Sequence, residues 1–458
     1  MKILSIHASH DGCITYVDNN EIVFHTQLDR YNRLKHFASP SKKVIDLIKS
    51  LDIDVLIFTG LPDNSIGEWK SFFLYVDREL VKKFKKIKII YAEKTHHLFH
   101  AYCALTWKKN IENILVMDGA GAFISEEEQE QEQESIYHFN KGTLNHIKTT
   151  SLDIGQDYER ECFDIYQGCY CEGKLLALSL HDTKANAVQS TFEKKYHNYI
   201  KENNLTENLL ITGGTAQNVK NNSLLLDNFS NVFADPFNGD FGISLGAINF
   251  YLNNSLKVDN VYLGIPQKLN LEIFRGHKII SVSPDEVAKI LINDPIAIFQ
   301  SRSEQGQRGL GNRSILMNAN HDEAANKMNE IKKREWYRPF ACTILHEESS
   351  HYFEMKIDES PFMMFLFKVK EDKKSLFKSG IAVDGTCRIQ TLKHSFNPCF
   401  YNLLSSFFKI TGFPFILNTS LNLPGEVLVE ELYDLKELFD NSGLKYVYFP
   451  EINKLIIK

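Results

Sequence analysis

The sequence has 458 residues, enough for two or more domains that each bury a hydrophobic core of their own. Its hydrophobic fraction of 43% and its charged fraction of 24% are typical of an ordinary globular protein. The net charge of −6 excludes a general basic field that would attract nucleic acid or a membrane surface, although a local basic site is compatible with it.

The amino-terminal stretch MKILSIHASHDG has only a short apolar run, interrupted by His7, and lacks the pattern of a signal peptide. No apolar segment approaches the roughly 18 residues typical of a membrane span, so we expect no membrane partner. The eight cysteines do not resemble a disulfide scaffold, and the spacing of Cys162, Cys169 and Cys171 matches no usual zinc pattern. We therefore predict reduced thiols in a cytoplasmic protein.

The chain begins with a predicted buried strand followed by a hairpin: Lys2–Ile6, Cys13–Val17 and Glu21–Thr26. His10 and Asp11 lie in the polar turn between the first strand and the hairpin. Further along, Lys35 and His36 are either functional or simply an exposed helix start. No internal repeat is apparent in the sequence.

A helix predicted from Glu93 to Ala104 carries His96 and His100 at positions i and i+4. This spacing places two imidazoles on one face, one turn apart, within reach of a single metal ion. A metalloprotease would need Glu directly after the first histidine as its base, and His97 stands there instead. A pair of ordinary helix histidines explains the spacing equally well when the pair is considered by itself.

Two aspartates favour the metal hypothesis. Asp118 follows the apolar run Ile114–Met117 and precedes Gly119 and Gly121. An Asp directly after a buried strand, followed by Gly-x-Gly, points at a ligand from the edge of a sheet. Asp240 lies in a second glycine-containing segment, DPFNGDFGISLGA.

Two further segments are candidates for substrate binding. Glu172 and Lys174 place a carboxylate beside a cation, which could orient or deprotonate a hydroxyl, although a turn before a helix is the plainer explanation. A glycine turn follows the predicted strand Leu209–Ile211, and its candidate nucleotide-binding residues are Gly213, Gly214 and Asn218.

The segment 301–340 is rich in cations: Arg302, Arg308, Arg313, Lys332, Lys333, Arg334 and Arg338. Guanidinium groups match phosphate and carboxylate oxygens two at a time, and the interleaved glycines let a backbone approach an anion closely. The pattern favours a pocket for a small phosphorylated ligand over the alternative, a solvated basic face. Downstream, Arg388 adds a cation, and a predicted strand delivers Asn418, Thr419 and Ser420 to finish a phosphate cradle.

Long motifs carry a family resemblance. QGQRGLGNRSIL from Gln305 and KKREWYRPFA from Lys332 resemble a signature of the nodulation-factor and antibiotic O-carbamoyltransferases. NTSLNLPGE, from Asn418 to Glu426, resembles that family's second carboxy-terminal signature. The opening strand and hairpin resemble the α/β fold of the actin, sugar-kinase and heat-shock ATPases, and the second half resembles the YrdC-like α/β fold. We therefore expect two domains, 1–265 and 266–458.

The resemblance implies an ATP-dependent O-carbamoyltransferase. In the second domain, carbamoyl phosphate would lose phosphate, and the carbamate would attack ATP to give carbamoyl-adenylate and pyrophosphate, with Mg²⁺ accompanying ATP. In the first domain, the carbamoyl group would pass to an acceptor hydroxyl. The metal of the family is iron(II), and two His with two Asp would also take Mn or Zn.

Site residues follow from the same resemblance. The implied metal ligands are His96, His100, Asp118 and Asp240. The implied catalytic residues are His10, Asp11, Lys35, Glu172 and Lys174. The implied residues for carbamoyl phosphate and ATP are Arg302, Arg308, Asn312, Arg313, Ser314, Lys332, Arg334, Arg338, Arg388, Asn418, Thr419 and Ser420. The adenylate in the first domain would contact Gly119, Gly121, Gly213, Gly214 and Asn218.

The chain departs from the family pattern at three places. Residues 27–31 replace an acidic run, Ala122 stands where the family has Glu, and Ala382 stands where it has His. Three alternatives stay open: a tRNA threonylcarbamoyl enzyme, a sugar-kinase relative and a non-catalytic nucleotide-binding module. The acceptor is equally open, since natural products, sugars and hydroxymethylated DNA bases all offer a hydroxyl. The net charge does not indicate a nucleic acid, and the sequence does not predict an oligomeric state.

Overall fold

The structure, a computed structural model, describes residues 1–36, 40–60, 82–92, 95–125, 130–168 and 170–458. They form two compact units. The first unit comprises residues 1–172, 190–217 and 228–263, and the second comprises 173–189, 218–227 and 264–458. Both are α/β, which confirms the fold class predicted from the sequence. The sequence predicted one boundary after residue 265 and did not anticipate the two short segments that belong with the second unit.

The first sheet of the first unit has the strand order β3-β2-β1-β4-β5. Its strands are β1 (Lys2–His7), β2 (Cys13–Asp18), β3 (Glu21–Gln27), β4 (Val55–Thr59) and β5 (Lys88–Ala92). The first three run antiparallel as a meander, and β4 and β5 continue parallel to β1. The alternation and β-branched residues of the opening strands produce this register, in which Ile3, Leu4 and Ile6 are fully buried.

The second sheet repeats the same topology. Its order is β10-β9-β6-β11-β12, again a meander of three antiparallel strands followed by two parallel ones. The strands are β6 (Asn113–Met117), β9 (Glu134–Asn140), β10 (Thr143–Thr150), β11 (Asn208–Thr212) and β12 (Asn231–Ala234). A short ribbon, β7 (Phe123–Ser125) with β8 (Glu130–Gln131), precedes β9. The duplication that is absent from the sequence is therefore present in the strand order, with β6 as the counterpart of β1.

The helices of the described chain are α1 (Asp29–Asn32), α2 (Lys42–Ser50), α3 (His96–Leu105), α4 (Ile154–Tyr166), α5 (Glu172–Leu178), α6 (Thr183–Glu202), α7 (Val219–Leu225), α8 (Ile243–Tyr251), α9 (Pro284–Leu291), α10 (Ala324–Lys332), α11 (Ser349–Tyr352), α12 (Pro398–Thr411) and α13 (Leu432–Asn441). Local signals set several ends: Ser41 caps α2, and Ser283 with Glu286 forms a capping box on α9. Helix α12 ends at Gly412, whose φ of +76° suits glycine.

Helices α3 and α8 form the centre of the first unit. Helix α8 packs on β1, β2 and β4, whereas α3 packs on β6 and β11, and the two helices also contact each other. The layers are therefore sheet, helix, helix and sheet. A Cβ atom added at Gly246 would lie 1.9 Å from the carbonyl oxygen of Phe99, so the two helices approach so closely only because this residue is glycine.

The second unit contains one mixed nine-stranded sheet of order β13-β21-β20-β14-β15-β19-β16-β18-β17. Its strands are β13 (Lys278–Ser281), β14 (Ile296–Phe299), β15 (Arg313–Met317), β16 (Ala341–Leu345), β17 (Leu366–Lys368), β18 (Thr386–Leu392), β19 (Phe415–Ser420), β20 (Tyr446–Phe449) and β21 (Lys454–Ile457). Helices α9 and α12 cover the core on one face, where Leu291, Phe400 and Phe407 are fully buried.

Some predicted elements differ in extent. Asn418–Ser420 lie inside β19 rather than after it. Glu93 and Lys94 of the predicted helix lie outside the described residues. Within the described residues, no helix is both long and apolar enough to cross a membrane.

The prediction of reduced thiols is wrong for one pair. Cys162 and Cys171 form a disulfide. The sequence spacing gave no hint of it, because the contact depends on a chain reversal: α4 ends at Gln167 in the left-handed region with φ of +51°, and the chain returns to bring the two Cα atoms to 6.0 Å. Cys169 lies outside the described residues.

Candidate active site

Four side chains of the first unit converge beside the two central helices. His96 and His100 lie one turn apart on α3. Asp118 directly follows β6, and Asp240 begins the 3-10 turn before α8. Their candidate ligand atoms all lie within 4.8 Å of one another, so the structure brings together all four predicted metal ligands.

The distances within this cluster fit one metal ion. Nε2 of His100 lies 3.0 Å from Oδ2 of Asp118 and 3.5 Å from Oδ1 of Asp240. Nε2 of His96 lies 3.6 Å and 3.4 Å from the same oxygens and 3.2 Å from Nε2 of His100. Metal–ligand bonds of about 2.0–2.2 Å place neighbouring ligand atoms roughly 3–3.5 Å apart, so these distances correspond to the edges of a coordination polyhedron.

The charges of the cluster also fit a cation. Burial by itself would raise the pKa of Asp118, but hydrogen bonds with His100 and His96 lower that pKa well below its ordinary value. The pKa of Asp240 is likewise lowered against the effect of burial by His96 and His100. The same carboxylates raise the pKa values of His96 and His100 against the effect of burial, so a divalent transition metal would bind by displacing the imidazole protons, and the two carboxylates would then neutralise its charge.

A second layer of polar groups surrounds Asp240. Nε2 of His7 and Nε2 of His10 lie 3.6 Å and 3.4 Å from its Oδ2. Asp11 joins two imidazoles, with Nδ1 of His36 at 2.7 Å and Nδ1 of His10 at 3.5 Å. The hydrogen bond with Asp11 raises the pKa of His10 to about 9, burial opposes this, and the charge of Asp240 adds to it. The His10 side chain is 58% exposed, so a substrate can reach it.

Glycines make room for the carboxylate of Asp118. A Cβ atom on Gly214 would lie 2.8 Å from its Oδ1, and Gly119 donates its N–H to the same oxygen at 2.8 Å. Gly213 has a φ of +87°, and a Cβ atom there would lie 2.4 Å from the carbonyl oxygen of Met117. These three predicted adenylate contacts therefore lie around the carboxylate of a predicted metal ligand.

The ribbon β7–β8 brings a carboxylate next to Gly121 and Ala122. A Cβ atom on Gly121 would lie 2.9 Å from Cβ of Glu132. The Glu132 carboxylate accepts the backbone N–H of Ala122 and that of His97, each at 3.3 Å. An acid is thus present near position 122, although the residue at that position is alanine. Because this acid comes from position 132, a position-by-position sequence comparison does not reveal it.

Asn218 has a structural role in the second unit. Its side chain accepts the N–H of Asn221 at 3.1 Å and so caps α7. Its amide also exchanges two hydrogen bonds with the buried amide of Gln189, at 3.2 Å and 3.1 Å. Both ends of the amide are occupied, which argues against the predicted adenylate contact.

The predicted acceptor-side residues lie at the start of α5. Burial raises the pKa of Glu172, and the charges of His36 and Lys35 oppose that shift. Lys174 instead forms an ion pair with Glu335 at 2.9 Å within the second unit. Glu172 therefore belongs with the residues near Asp11, whereas Lys174 belongs with the basic segment of the second unit.

Four arginines of the second unit form a cationic cluster: Arg308, Arg334, Arg338 and Arg388. Burial lowers the pKa of Arg308 well below its ordinary value, and the charges of Arg388 and Arg338 lower it further. Burial and the same two charges lower the pKa of Arg334 to about 9, and burial with Arg338 lowers that of Arg388 to about 10. Nε of Arg334 and Nε of Arg388 are buried, and neither has a hydrogen-bond partner in the described part of the chain. An oxyanion would relieve this mutual repulsion.

Arg313 differs from these four in the number of backbone groups that its guanidinium holds, since Arg334 donates only to the carbonyl oxygens of Arg338 and Pro339 and Arg338 pairs with Glu335. It is fully buried, stacks on Phe299 at 3.6 Å, and donates to four backbone carbonyls, those of Gln300, Ser301, Asn312 and Glu430. The sequence hypothesis that Arg313 contacts the phosphate is therefore not supported by the geometry. The reason is that backbone carbonyls of the surrounding loops occupy the guanidinium.

Arg302 and Lys332 are used in a similar way. Nε of Arg302 donates to the carbonyl oxygen of Gly264 at 2.6 Å. The Lys332 ammonium donates to the carbonyl oxygens of Ser420 and Asn422, each at 2.7 Å. Three of the predicted phosphate-binding cations therefore hold backbone segments in place.

The polar residues that were predicted to bind carbamoyl phosphate and ATP also form hydrogen bonds that hold the glycine loop. Ser314 accepts the N–H of Gly311 at 2.9 Å, and Asn312 donates to the carbonyl oxygen of Arg302 at 2.7 Å. Asn418 donates to Thr343 and Gln390, and Gln390 donates to the carbonyl oxygen of Leu310, in a buried network across β16, β18 and β19. Ser420 bonds to Asn422 at 2.8 Å, and Thr419 lies half-buried beside it.

Sequence reasoning did not assign a role to three residues near these clusters. His7 is the last residue of β1 and is fully buried, so a polar residue ending an apolar strand was the available signal. His36 was noted only as part of a motif, although it bonds to Asp11. Glu304 is fully buried within the basic segment, and no sequence signal distinguishes it from a solvated acid.

Comparisons with known proteins agree with the motifs. The family models described as Carbamoyltransferase N-terminus and Carbamoyltransferase C-terminus match residues 181–248 and 287–456. The chain is 32% identical to the nodulation protein NolNO of Sinorhizobium fredii, over 95% of this chain and 77% of that protein. It is 27% identical to an uncharacterized protein of Methanocaldococcus jannaschii, over 93% of this chain and 94% of that one. A ROK hexokinase from Thermus thermophilus superposes with a TM-score of 0.33 at 11% identity, over 54% of this chain and 98% of the hexokinase.

The contrast between Arg313 and Arg308 predicts different effects on stability. Arg313→Met removes the shared donor of four backbone carbonyl oxygens, and we expect a loss of about 3 kcal/mol or more in the free energy of unfolding. Arg308→Met removes a half-buried cation that neighbouring arginines repel, so we expect that free energy to change much less. Urea unfolding of both variants is the measurement. Equal destabilisation by the two substitutions would contradict the assignment.

Proposed function

Because this chain belongs to the carbamoyltransferase family, we propose that it uses ATP and carbamoyl phosphate to carbamoylate a hydroxyl group of an acceptor. The observation that carries the proposal is that one chain contains both a cluster of four half-buried arginines and a cluster of two histidines and two aspartates. The first suits a phosphorylated donor, and the second suits a metal-assisted transfer.

The donor half of the reaction belongs to the second unit. Hydrolysis of carbamoyl phosphate breaks the bond between the carbonyl carbon and the phosphate, and gives carbamate and inorganic phosphate. A carbamate oxygen then attacks the α-phosphorus of Mg²⁺-bound ATP, and pyrophosphate leaves. Both steps place negative charge on phosphate oxygens, which buried guanidiniums stabilise more strongly than solvated ones do. Arg308, Arg334, Arg338 and Arg388 are the proposed donor ligands, and burial together with the neighbouring arginines lowers the pKa values of Arg308, Arg334 and Arg388.

The transfer half belongs to the first unit. His96, His100, Asp118 and Asp240 would hold iron(II) or another divalent transition metal, and their two nitrogen and two oxygen donors suit such an ion. A bound metal would supply Lewis-acid polarisation of the carbamoyl-adenylate. Gly119, Gly213 and Gly214 leave space beside Asp118 where the adenylate phosphate could approach.

The residues around Asp11 would move the acceptor proton. The acceptor oxygen attacks the carbonyl carbon of the adenylate, AMP leaves with the bonding electron pair, and the hydroxyl proton must go to a base. His10 is the exposed member of the group, and Asp11 orients its ring through Nδ1. Because the pKa of His10 is about 9, the base would be the small unprotonated fraction of its ring at neutral pH. His36 holds the other oxygen of Asp11, so the carboxylate cannot rotate away. Lys35 and Glu172 lie nearby and would contact the acceptor.

The proposed reaction requires that the acceptor carry a hydroxyl group. Natural products, sugars and hydroxymethylated DNA bases all meet this requirement. The Sinorhizobium relative is named as a nodulation protein. Incubation with candidate acceptors and detection of an added carbamoyl group by mass spectrometry would identify the class.

Metal content tests the first-unit cluster. Protein purified without chelator should contain about one transition-metal ion per chain, and His96→Ala or Asp118→Asn should lose it because each removes a ligand. His146→Ala, which changes an exposed histidine of the same unit, should retain the metal. Elemental analysis of the purified proteins is the measurement. Parent protein that is metal-free and fully active in chelator would remove the metal from the mechanism.

Pyrophosphate release tests the second-unit cluster. Release from ATP should require carbamoyl phosphate, and Arg308→Met or Arg388→Met should abolish it because each removes a donor ligand from the cluster. Arg275→Met, which replaces a guanidinium that is 81% exposed in the same unit, should release pyrophosphate normally. His96→Ala should also retain release, since its side chain belongs to the transfer half. Normal release by both cluster variants would refute the donor assignment.

A further inference from the structure

The glycine loop between Gln305 and Asn312 folds around a carboxylate. Glu304 is fully buried, and its Oε1 accepts the backbone N–H groups of Leu310, Asn312 and Arg313, the last two at 3.3 Å and 3.2 Å. Three backbone donors converging on one oxygen make a nest, the arrangement that glycine-rich loops form around phosphates. Here the anion inside the nest belongs to the protein.

Glycines permit this conformation. Gly306 and Gly311 have φ of +97° and +111°, in the region that favours glycine. A Cβ atom on Gly311 would lie 2.3 Å from the ring of Phe400, and one on Gly309 would lie 2.7 Å from Cα of Ser420. The glycines therefore let the loop turn back on Glu304 and pack closely, rather than leaving its N–H groups open to a ligand.

The same loop carries Arg308 into the cationic cluster. Leu310, two residues further along, is held through both of its backbone polar groups. Its N–H donates to Glu304, and its carbonyl oxygen accepts from Gln390. The amide of Gln390 in turn joins Asn418. The loop is thus fixed on the sheet immediately beside Arg308, and the carboxylate of Glu304 is the acceptor that organises three of its N–H groups.

We propose that Glu304 is a positioning residue for the donor anion. Its carboxylate serves as the internal anion around which the loop folds, and this holds Arg308 beside Arg334, Arg338 and Arg388. Hydrogen bonds from N–H groups to an ionised carboxylate are stronger than those to a neutral amide, so the charge of Glu304 matters as well as its shape. The identity of the ligand, a phosphorylated donor, rests on the proposed function.

Chemical rescue tests this role. Glu304→Ala removes one methylene and one carboxylate, which together have the shape and charge of acetate. We expect the variant to bind inorganic phosphate about tenfold more weakly than the parent, or worse, in isothermal titration calorimetry, because the loop loses its charged acceptor. Added acetate should restore the affinity, whereas acetamide, neutral and of similar shape, should not.

The controls separate positioning from other effects. Acetate added to the parent measures any competition at the arginines, and Glu330→Ala, an exposed acid of the same unit, should bind phosphate like the parent. Glu304→Gln keeps the volume and one oxygen, and it decides the question if Glu304→Ala does not fold. It too should bind phosphate more weakly.

The outcomes are distinct. Parent affinity in both Glu304 variants, or tighter binding by Glu304→Gln, would overturn the proposal and leave the donor site standing. Equal rescue by acetamide and acetate would also overturn it, because charge would then be irrelevant. Loss of phosphate binding in the parent, or full binding by Arg308→Met, would instead overturn the donor site itself and this proposal with it.

Discussion

The backbones of helices α3 and α8 touch, and the candidate active site depends on that contact. A Cβ atom at Gly246 would lie 1.9 Å from the carbonyl oxygen of Phe99, so no larger residue fits without separating the helices. Helix α3 carries both histidines of the metal cluster, and α8 directly follows Asp240. Because β1 and β6 are equivalent strands of the two repeated sheets, their ends supply His7 and Asp118 from corresponding positions.

Each unit brings groups of like charge close together in its candidate site. The first places two carboxylates around imidazole nitrogens, and the second places four guanidiniums close together. Buried like charges are destabilising unless a group of opposite sign joins them. Arg313 and Lys332 show the alternative, since backbone carbonyls satisfy both of these buried cations. Arg334 and Arg338 also have partners within the fold, so the clustered arginines differ from Arg313 and Lys332 chiefly in lying close to one another. That proximity indicates an oxyanion for the arginine cluster, as the paired carboxylates indicate a cation for the other cluster.

Much of this could be predicted from the sequence. Helical spacing placed His96 and His100 on one face, and its position at a strand end identified Asp118, whereas Asp240 entered the predicted metal cluster through the family resemblance. The basic segment was less informative, because Arg308 and Arg313 share one motif and differ only in what tertiary structure places around them. Glu304 was missed for the same reason: burial of an acid depends on the path of the loop. The repeated sheet topology leaves no sequence repeat because it requires only apolar strands in the right order.

The central claim is that the arginine cluster makes the activated carbamoyl group and the metal cluster transfers it. Chemically prepared carbamoyl-adenylate, supplied together with an acceptor, tests that division directly. Acceptor carbamoylation should return in Arg308→Met, which lacks only the donor half, and should remain absent in His96→Ala, which lacks the transfer half. Carbamoylation by the His96 variant at the parent level, or failure of the supplied adenylate to restore a folded Arg308 variant, would contradict the account.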